Sequence, residues 1–581
     1  MFGKESLRLR RESLCLSTGA RRQRRCARTR TRTLTVEVRG SGKQDRGERE
    51  SSRSGSGAAK KVNIAKTKLY SVAKEDSDLD HEKDSWGDSF DDDTLLHNQQ
   101  VLEKSQSMAQ SATPLGSYEA DLEDVLQCNN LWDVLKPIPS PFQTDCHMNK
   151  GFVSNKDRVA ISSLFHGSRD SIGANCGGAS IYDAQEEVCI PISAWAYRSG
   201  GRKDIYFNPK TVRAAIVTCG GLCPGLNDVV RGIVQTLYQY GVKEGNVLGV
   251  RYGFKGFYSY EHQPVVLTNR EVDGIQRKGG TLLGTSRGGA DMDKIADSIE
   301  ERGVNMVFVI GGNGGNAGAG ALQRKCAERN YPCAVIGVPK SIDNDILVID
   351  KTFGFDTACQ EGVKAINAAY VEASSAFRGV GLVKLMGRQS GFIALQSSLA
   401  SGEVDVCLIP ETKFELHGPG GLLSHIERTL EMKGHCVVVV AEGAYQEEMS
   451  CMEGNKDASG NPILEDVGRY LKDEIKQYFS GEGSKKKVDL KYIDPTYMIR
   501  AVETNTSDKI YCYVLAQGAV HAAFAGFTGV TVGMVNTHTA YFPIELIVSS
   551  ARKVDVYGKQ WQRLLSATMQ PDLLNDQNLP Q

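Results

Sequence analysis

Two aspartates pose the chemical question. In "PKSIDNDI" (339–346), Asp343 and Asp345 stand two apart, directly after the apolar run "CAVIGV". One carboxylate can take a proton from an attacking hydroxyl while the other holds Mg2+ against phosphate oxygens. That division of labour is what phosphoryl transfer to an alcohol requires. An isolated Asp-Asn-Asp triplet is most often an Asx turn, but here glycine-rich segments precede it. In "VFVIGGNGGNAGAG" (307–320) a β-branched run ends abruptly in glycines. Gly311, Gly312, Gly314 and Gly315 can take positive φ and admit phosphates against the backbone. The spacing is neither GxGxxG nor GxxxxGK[ST], so the two commonest nucleotide loops are disfavoured. Asn313 stands where a carboxylate would be more useful beside a metal–nucleotide complex.

Further groups lie along the chain in the same setting. "CGGLCPGLNDVVRG" offers Gly220 and Gly221 for close backbone approach, then a helix starting near Asn227 whose free N–H groups suit an anion. "GGTLLGTSRGG" (279–289) sets Arg287, followed by Gly288, among small hydroxyls, where a guanidinium can grip a phosphate with two hydrogen bonds. "KLMGRQSGF" supplies Arg388, "VAEGA" supplies Glu442, and "YMIRAVETNTSDKI" supplies Arg500 and Lys509. An acid that accepts sugar hydroxyls, with cations for a sugar phosphate, makes a coherent acceptor site. Taken singly, each of these charges is more often a solvated surface group. The three cations of "AYRSGGRKDIYFNP" (Arg198, Arg202 and Lys203) are likewise expected at the surface.

The elements that must position these groups are short apolar runs: "AAIVT", "NVLGV", "NMVFVI", "CAVIGV", "GLVKL", "DVCLIP" and "CVVVVAEG". Amphipathic stretches such as "DKIADSIEERG" separate them. Buried runs alternating with helices predict parallel sheets in α/β layers. The expected fold is α/β, with two doubly wound, mostly parallel-sheet domains and the active site in the cleft between them. Ligands in such folds sit beyond the carboxyl ends of the strands, and the motifs lie just after these runs. Residues 206–358, with about 510–540, are expected to form one domain, and 359–509, with about 541–570, the other. Residues 116–205 read as an extension packed on the core and 571–581 as a C-terminal tail.

Residues 1–115 read as a disordered tail, basic and then acidic. The Arg- and Ser-rich start, with "RRQRRCARTRTRT", has the composition of a transit segment, although Glu5, Glu12 and Glu37 count against it. The stretch "EDSDLDHEKDSWGDSFDDD" is too polar to bury a core. A net charge of −1 over 581 residues gives no electrostatic case for nucleic acid. No apolar run approaches the ~18 residues of a membrane helix. The 15 cysteines are dispersed and show no metal-ligand spacing, so reduced thiols are expected.

"CGGLCPGLN", "GGTLLGTSRGG", "GGNGG", "PKSIDNDI", "FGFDTA", "LMGRQSGF", "VAEGA" and "YIDPTYMIRA", in this order, resemble 6-phosphofructokinase. The resemblance covers about 190–570 and is nearest the long ATP-dependent group typical of plants, algae and some protists. It implies transfer of the γ-phosphoryl group of Mg-ATP to the 1-hydroxyl of fructose 6-phosphate, a step of glycolysis. Position by position, it makes Asp343 the general base, with Ser341 and Ile342 beside it in the substrate site. Asp345 and Asn313 would hold Mg2+. Met386, Gly387 and Arg388 would line the sugar-phosphate site, Arg388 also near the transferring phosphoryl group. Glu442 would hold the sugar, and Tyr497, Arg500 and Lys509 would frame its 6-phosphate. Gly220, Gly221, Arg287, Gly288, Gly312, Asn313, Gly314 and Gly315 would surround ATP. The resemblance further implies a homodimer or tetramer, in the cytoplasm, or in a plastid if the first 60 residues are a transit segment. Neither nucleic acid nor membrane is implied as a partner.

The departures define the alternatives. Gly314 stands where pyrophosphate-dependent relatives carry an Asp that obstructs the ATP α-phosphate region, which favours ATP. Lys340, however, matches the pyrophosphate enzymes. Asn313 and Gly315 replace the usual Asp and Thr of the loop, a pattern that would suit a catalytically weak regulatory paralogue. Ser341 stands where Thr is usual and keeps the hydroxyl. The cation that some bacterial members lend to a neighbouring subunit aligns at Arg378 or Gly379.

Overall fold

A computed structural model describes residues 125–144, 151–161, 180–182, 189–191, 194–449, 464–480 and 487–571. The expected tail over 1–115 lies outside the described residues, as do 572–581. Thirteen strands matter here: β1 (Arg158–Ala160), β2 (Trp195–Arg198), β3 (Ala214–Thr218), β4 (Val247–Val250), β5 (Val265–Val266), β6 (Met306–Gly311), β7 (Ala334–Pro339), β8 (Gly379–Leu385), β9 (Val406–Leu408), β10 (His435–Ala441), β11 (Asp489–Ile493), β12 (Val530–Val535) and β13 (His538–Pro543). The main helices are α1 (Leu226–Tyr240), α2 (Met292–Glu301), α3 (Asn313–Glu328), α4 (Phe355–Ser374), α5 (Phe392–Ser401), α6 (Leu422–Lys433), α7 (Val467–Tyr478), α8 (Thr496–Ala501), α9 (Thr506–Phe524) and α10 (Lys559–Thr568).

The larger sheet has nine strands in the order β1-β2-β13-β12-β7-β6-β3-β4-β5. Its five central strands, β12 to β4, run parallel. The outer strands run antiparallel and finish both edges. Every residue of β3, β6 and β7 is buried. A strand covered on both faces has no polar side to show, so it reads as a continuous apolar run. One face carries α1 and α9, around Val229, Ile233, Leu515 and Ala519. The other carries α2 and α3, around Ile295, Ile299, Ala319 and Leu322.

The smaller sheet is parallel throughout, in the order β9-β10-β8-β11. Ile393 and Leu395 of α5 and Trp561 of α10 pack on one face, and Ile426 of α6 and Leu471 of α7 on the other. Two doubly wound, mostly parallel layers are thus what the alternating runs predict. Helix α4, which follows "FGFDTA", joins them. It packs on the smaller sheet through Ile366 and Ala369. At its start Thr357 N and Oγ1 donate to Asp508 Oδ2 of α9, at 2.8 and 2.6 Å.

The apolar periodicity left six of these strands unread. Strand β1 ends the larger sheet beside β2 and β13, β5 closes its other edge, β12 lies inside it, and β11 is only half-buried. Strands β13, β2 and β1 extend the larger sheet through antiparallel pairs such as Tyr541 with Tyr197. Arg202, expected at the surface, is 4% exposed. Its guanidinium donates to Asn155 Oδ1, Gly200 O and Arg198 O at 2.8, 2.9 and 2.8 Å, so it seals the loop after β2. Nine cysteines, among them Cys219, Cys223 and Cys512, are buried and unbridged. No described helix is long and apolar enough to cross a membrane.

Candidate active site

The segment after β7 carries both aspartates, and several contacts fix it. Asn344 has φ of 59°, a conformation that Asn tolerates better than most residues. Its Oδ1 accepts from Thr352 N at 2.9 Å, while Thr352 Oγ1 donates to Ser341 O at 2.5 Å. Arg552 N donates to Asp345 O at 2.9 Å, and Ser390 Oγ donates to Asp343 O at 3.3 Å. Ile342 packs against the cores of both layers. The segment therefore sits between the two sheets, anchored to each.

The two carboxylates have different surroundings. Ser341 Oγ donates to Asp345 Oδ1, whereas Asp343 Oδ1 is buried with no hydrogen-bond partner. Burial first, then the charges of Asp345 and Glu442, pushes the Asp343 carboxyl up to about 8; Arg500 and Lys340 pull the other way. Such a carboxylate is a far better proton acceptor than a solvated one. Lys340 is itself buried, and desolvation lowers its ammonium pKa.

Facing this segment are the turns after β3, β4 and β6. Gly220 has φ of 86° and donates its N–H to Ser286 O at 3.0 Å, while Thr285 Oγ1 donates to Gly220 O at 2.7 Å. A Cβ on Gly220 would lie 3.5 Å from Lys340 Nζ, and one on Gly221 would lie 3.6 Å from Arg287 Nη2. Arg287 therefore overhangs the Gly220–Gly221 turn, and Gly288 follows it with φ of 67°. Tyr252, at the end of β4 with φ of 56°, is 40% exposed and packs on Gly284.

At the end of β6 the glycines do not use the positive φ open to them. None of Gly311, Gly312, Gly314 and Gly315 has positive φ; Gly312 is extended, and α3 begins at Asn313. What the loop needs is close approach. A Cβ on Gly311 would sit 2.8 Å from Gly315 Cα, and one on Gly312 would sit 3.2 Å from Lys340 O. Gly314 meets nothing within 4 Å, so open space lies over the first turn of α3. The first N–H groups of a helix lack intrahelical partners and favour an anion there. Asn313 Oδ1 is buried and without a hydrogen-bond partner. With Asp343 Oδ1 it forms a pair of uncommitted oxygens on adjoining segments, the donor type a hard cation takes.

The remaining groups come from the smaller sheet. Glu442 N donates to Leu385 O at 2.9 Å and Gly443 N to Gly387 O at 3.0 Å. A Cβ on Gly443 would fall 1.9 Å from Arg388 O, so the turns bearing Glu442 and Arg388 lie backbone against backbone. Arg500, on α8, is half-buried and its charge reaches Asp343 and Lys340. Three expected residues have settings of their own. The side chain of Met386 is 1% exposed in the core, so only its backbone can face a ligand. Tyr497 is 83% exposed. Lys509 pairs with Glu503 at 3.7 Å and acts on Asp228 of α1. Arg378, at the opposite ends of the strands from Arg388, lines a cavity of about 460 Å3 and has a buried Nε without a partner.

The structure thus brings together Ser341, Asp343, Asp345, Lys340, Glu442 and Arg500, with Gly220, Gly221 and Arg287 on the facing turns. Sequence reasoning missed Asn344, Thr352, Ser390, Arg552 and Tyr252. Ser390 lay inside "GRQSGF", but a buried serine that steadies a carbonyl carries no spacing signal.

The phosphofructokinase family model matches residues 213–523. ATP-dependent 6-phosphofructokinase 5, chloroplastic, of Arabidopsis thaliana is 48% identical over 79% of this chain and 86% of its own length. ATP-dependent 6-phosphofructokinase 7 of the same plant is 52% identical over 65% and 77%. The ATP-dependent enzyme of Borreliella burgdorferi is 44% identical over 64% and 85%. The fold matches that of the pyrophosphate-dependent phosphofructokinase of Marinobacter aquaeolei with a TM-score of 0.51 at 20% identity, covering 64% of this chain and 95% of that one. The motifs, the doubly wound layers and these likenesses agree, and the chain belongs to the phosphofructokinase family.

Proposed function

We propose that the chain is an ATP-dependent 6-phosphofructokinase, which transfers the γ-phosphoryl group of ATP to the 1-hydroxyl of fructose 6-phosphate. The observation that carries this reading is Asp343. Its buried, unpartnered Oδ1 stands among Lys340, Glu442 and Arg500, on a segment bonded to the nucleotide loop. Asp343 accepts the proton of the 1-hydroxyl as the oxygen attacks phosphorus. Arg500 and Arg388 bind anionic oxygens, the first at the sugar 6-phosphate and the second also at the transferring group. Glu442 accepts sugar hydroxyls and orients the ring. Arg287, the Gly220–Gly221 turn and the first turn of α3 hold the ATP phosphates.

Mg2+ fits the donors present. Asn313 Oδ1 and the carboxylate of Asp345 would hold it, and no cluster of three His, Cys, Asp or Glu among the described residues forms a closed cage. That suits an ion that keeps waters and phosphate oxygens in its shell. When bound, it neutralises charge on the phosphates. The open space at Gly314 supports ATP as donor, since a side chain there would enter it. A homo-oligomer is the expected assembly.

A coupled assay of purified protein with fructose 6-phosphate and either Mg-ATP or Mg-pyrophosphate tests the reading. Turnover with ATP alone is the expected result. Turnover only with pyrophosphate would reassign the donor, and none with either, from folded protein, would leave a regulatory subunit. The compartment is decided by fusing residues 1–60 to a fluorescent reporter: plastid import marks a transit segment, and cytoplasmic fluorescence excludes one.

A further inference from the structure

The loop that lacks the usual carboxylate contains a second asparagine with an unusual environment. Asn316, in the first turn of α3, is 0% exposed. Its Nδ2 donates to Gly311 O at 2.7 Å and to Gly312 O at 3.1 Å. With two carbonyl oxygens on one side, only the amide nitrogen can face them, which fixes the carboxamide orientation. The other end, Oδ1, is buried and has no partner. It occupies the space beside β7 where Gly337 has no side chain; a Cβ there would lie 2.2 Å from Oδ1. Gly337 is held in place by β12, since Thr531 Oγ1 donates to its carbonyl at 3.1 Å.

A buried unpaired amide oxygen is costly and calls for an explanation. The location of the other end supplies one. Gly311 O accepts from Asn316 Nδ2 and also from Lys340 N at 2.9 Å. Lys340 opens the segment that bears Asp343, and Gly312 is followed by Asn313. One carboxamide therefore engages both carbonyls of the phosphate loop, at the point where that loop is bonded to the catalytic segment. Carbonyl oxygens held this way are turned from the phosphates, and the N–H groups of the α3 first turn are left to face them.

We infer that Asn316 is a positioning residue that preorganises the nucleotide loop and sets its register against the segment carrying Asp343. It touches no reacting atom. It supplies from inside the fold an order that Gly315, which has no side chain to hydrogen-bond, cannot give. This inference rests on the ATP-binding role of the loop proposed above.

Two substitutions disturb the contact from opposite sides. Asn316→Ser removes the carboxamide. Gly337→Ala, on a strand away from the substrates, drives a Cβ into Oδ1. Steady-state kinetics and calorimetric binding of Mg-ADP are measured on the full chain. Each variant is expected to raise the KM for Mg-ATP and the Kd for Mg-ADP about tenfold, with the KM for fructose 6-phosphate within twofold of wild type. The double variant should be no worse than either single one, because both break one contact. A merely structural role would lower the melting temperature and leave nucleotide affinity unchanged; that outcome, or independent additive losses, overturns the inference. If one variant does not fold, the other still decides. A wild-type chain that binds Mg-ADP but shows no turnover refutes the enzymatic reading alone, whereas one that binds no nucleotide overturns both.

Discussion

At the scale of residues, two oxygens carry the proposed chemistry. Asp343 Oδ1 is buried, unpartnered and basic, with its carboxyl pushed up to about 8 by burial and by Asp345 and Glu442. Asp343→Asn keeps the shape and removes the base. If Asp343 is the base proposed above, kcat falls by ~10^2- to 10^4-fold with little change in either KM. A rate within tenfold of wild type would show that another group takes the proton. Asn313 Oδ1 is the second oxygen. An amide can ligate or hold a metal-bound water but lacks charge. Asn313→Asp is expected to raise kcat several-fold and lower the Mg2+ concentration for half-maximal rate. A rate that stays level or falls on magnesium titration would mean the site is adapted to the amide. Both aspartates and the asparagine were legible in the sequence. The difference in basicity between the aspartates was not, because it arises from burial and from charges on distant segments.

At the scale of elements, helix pairing holds the site's supports. Helix α8 is set by Lys384, whose ammonium bridges Asp466 at 2.9 Å and Asp494 at 3.0 Å, while Asp494 Oδ1 accepts from Thr496 N at 3.1 Å. Helices α1 and α9 pack face to face, with Tyr240 Oη and His521 Nδ1 2.7 Å apart. Burial, then Arg202, pushes His521 down to about 4 from 6.5. The imidazole is therefore neutral in the fold, whereas the unfolded chain binds a proton below its ordinary pKa. Stability from this group is complete above pH 6.5 and is lost as pH falls from 6.5 towards 4, by roughly 1–3 kcal/mol. Thermal melts over this window should show the decline. His521→Gln, which keeps a partner for Tyr240, should flatten it; an unaltered slope would place the titration elsewhere. The apolar runs marked β3, β4, β6, β7, β8, β9 and β10. They did not mark β1, β2, β5 and β13, whose fully buried stretches are short or absent, nor β11 and β12.

At the scale of the whole molecule, two layers share the segment that carries Asp343. Ile342 packs into both cores, and Asp508 ties the start of α4, which packs on the smaller sheet, to α9 on the larger one. Asp508→Ala leaves Thr357 N and Oγ1 buried without an acceptor. The expected cost is about 2–4 kcal/mol in urea unfolding, with the KM values of the remaining folded protein unaltered. A cost under about 0.5 kcal/mol would show that water replaces the carboxylate without penalty.

The sequence by itself determined the family, the layered α/β class and the chemical types at the site. Ordered motifs and buried apolar runs are local patterns, and a single chain displays them in full. The tertiary structure alone decided which groups meet. It withdrew the Met386 side chain into the core, paired Lys509 with Glu503 and buried Arg202 under a loop. It also set Asn316 against Gly337, a residue of another strand. Burial, charge proximity and the fate of each hydrogen bond depend on segments far apart in sequence. No spacing along the chain encodes them.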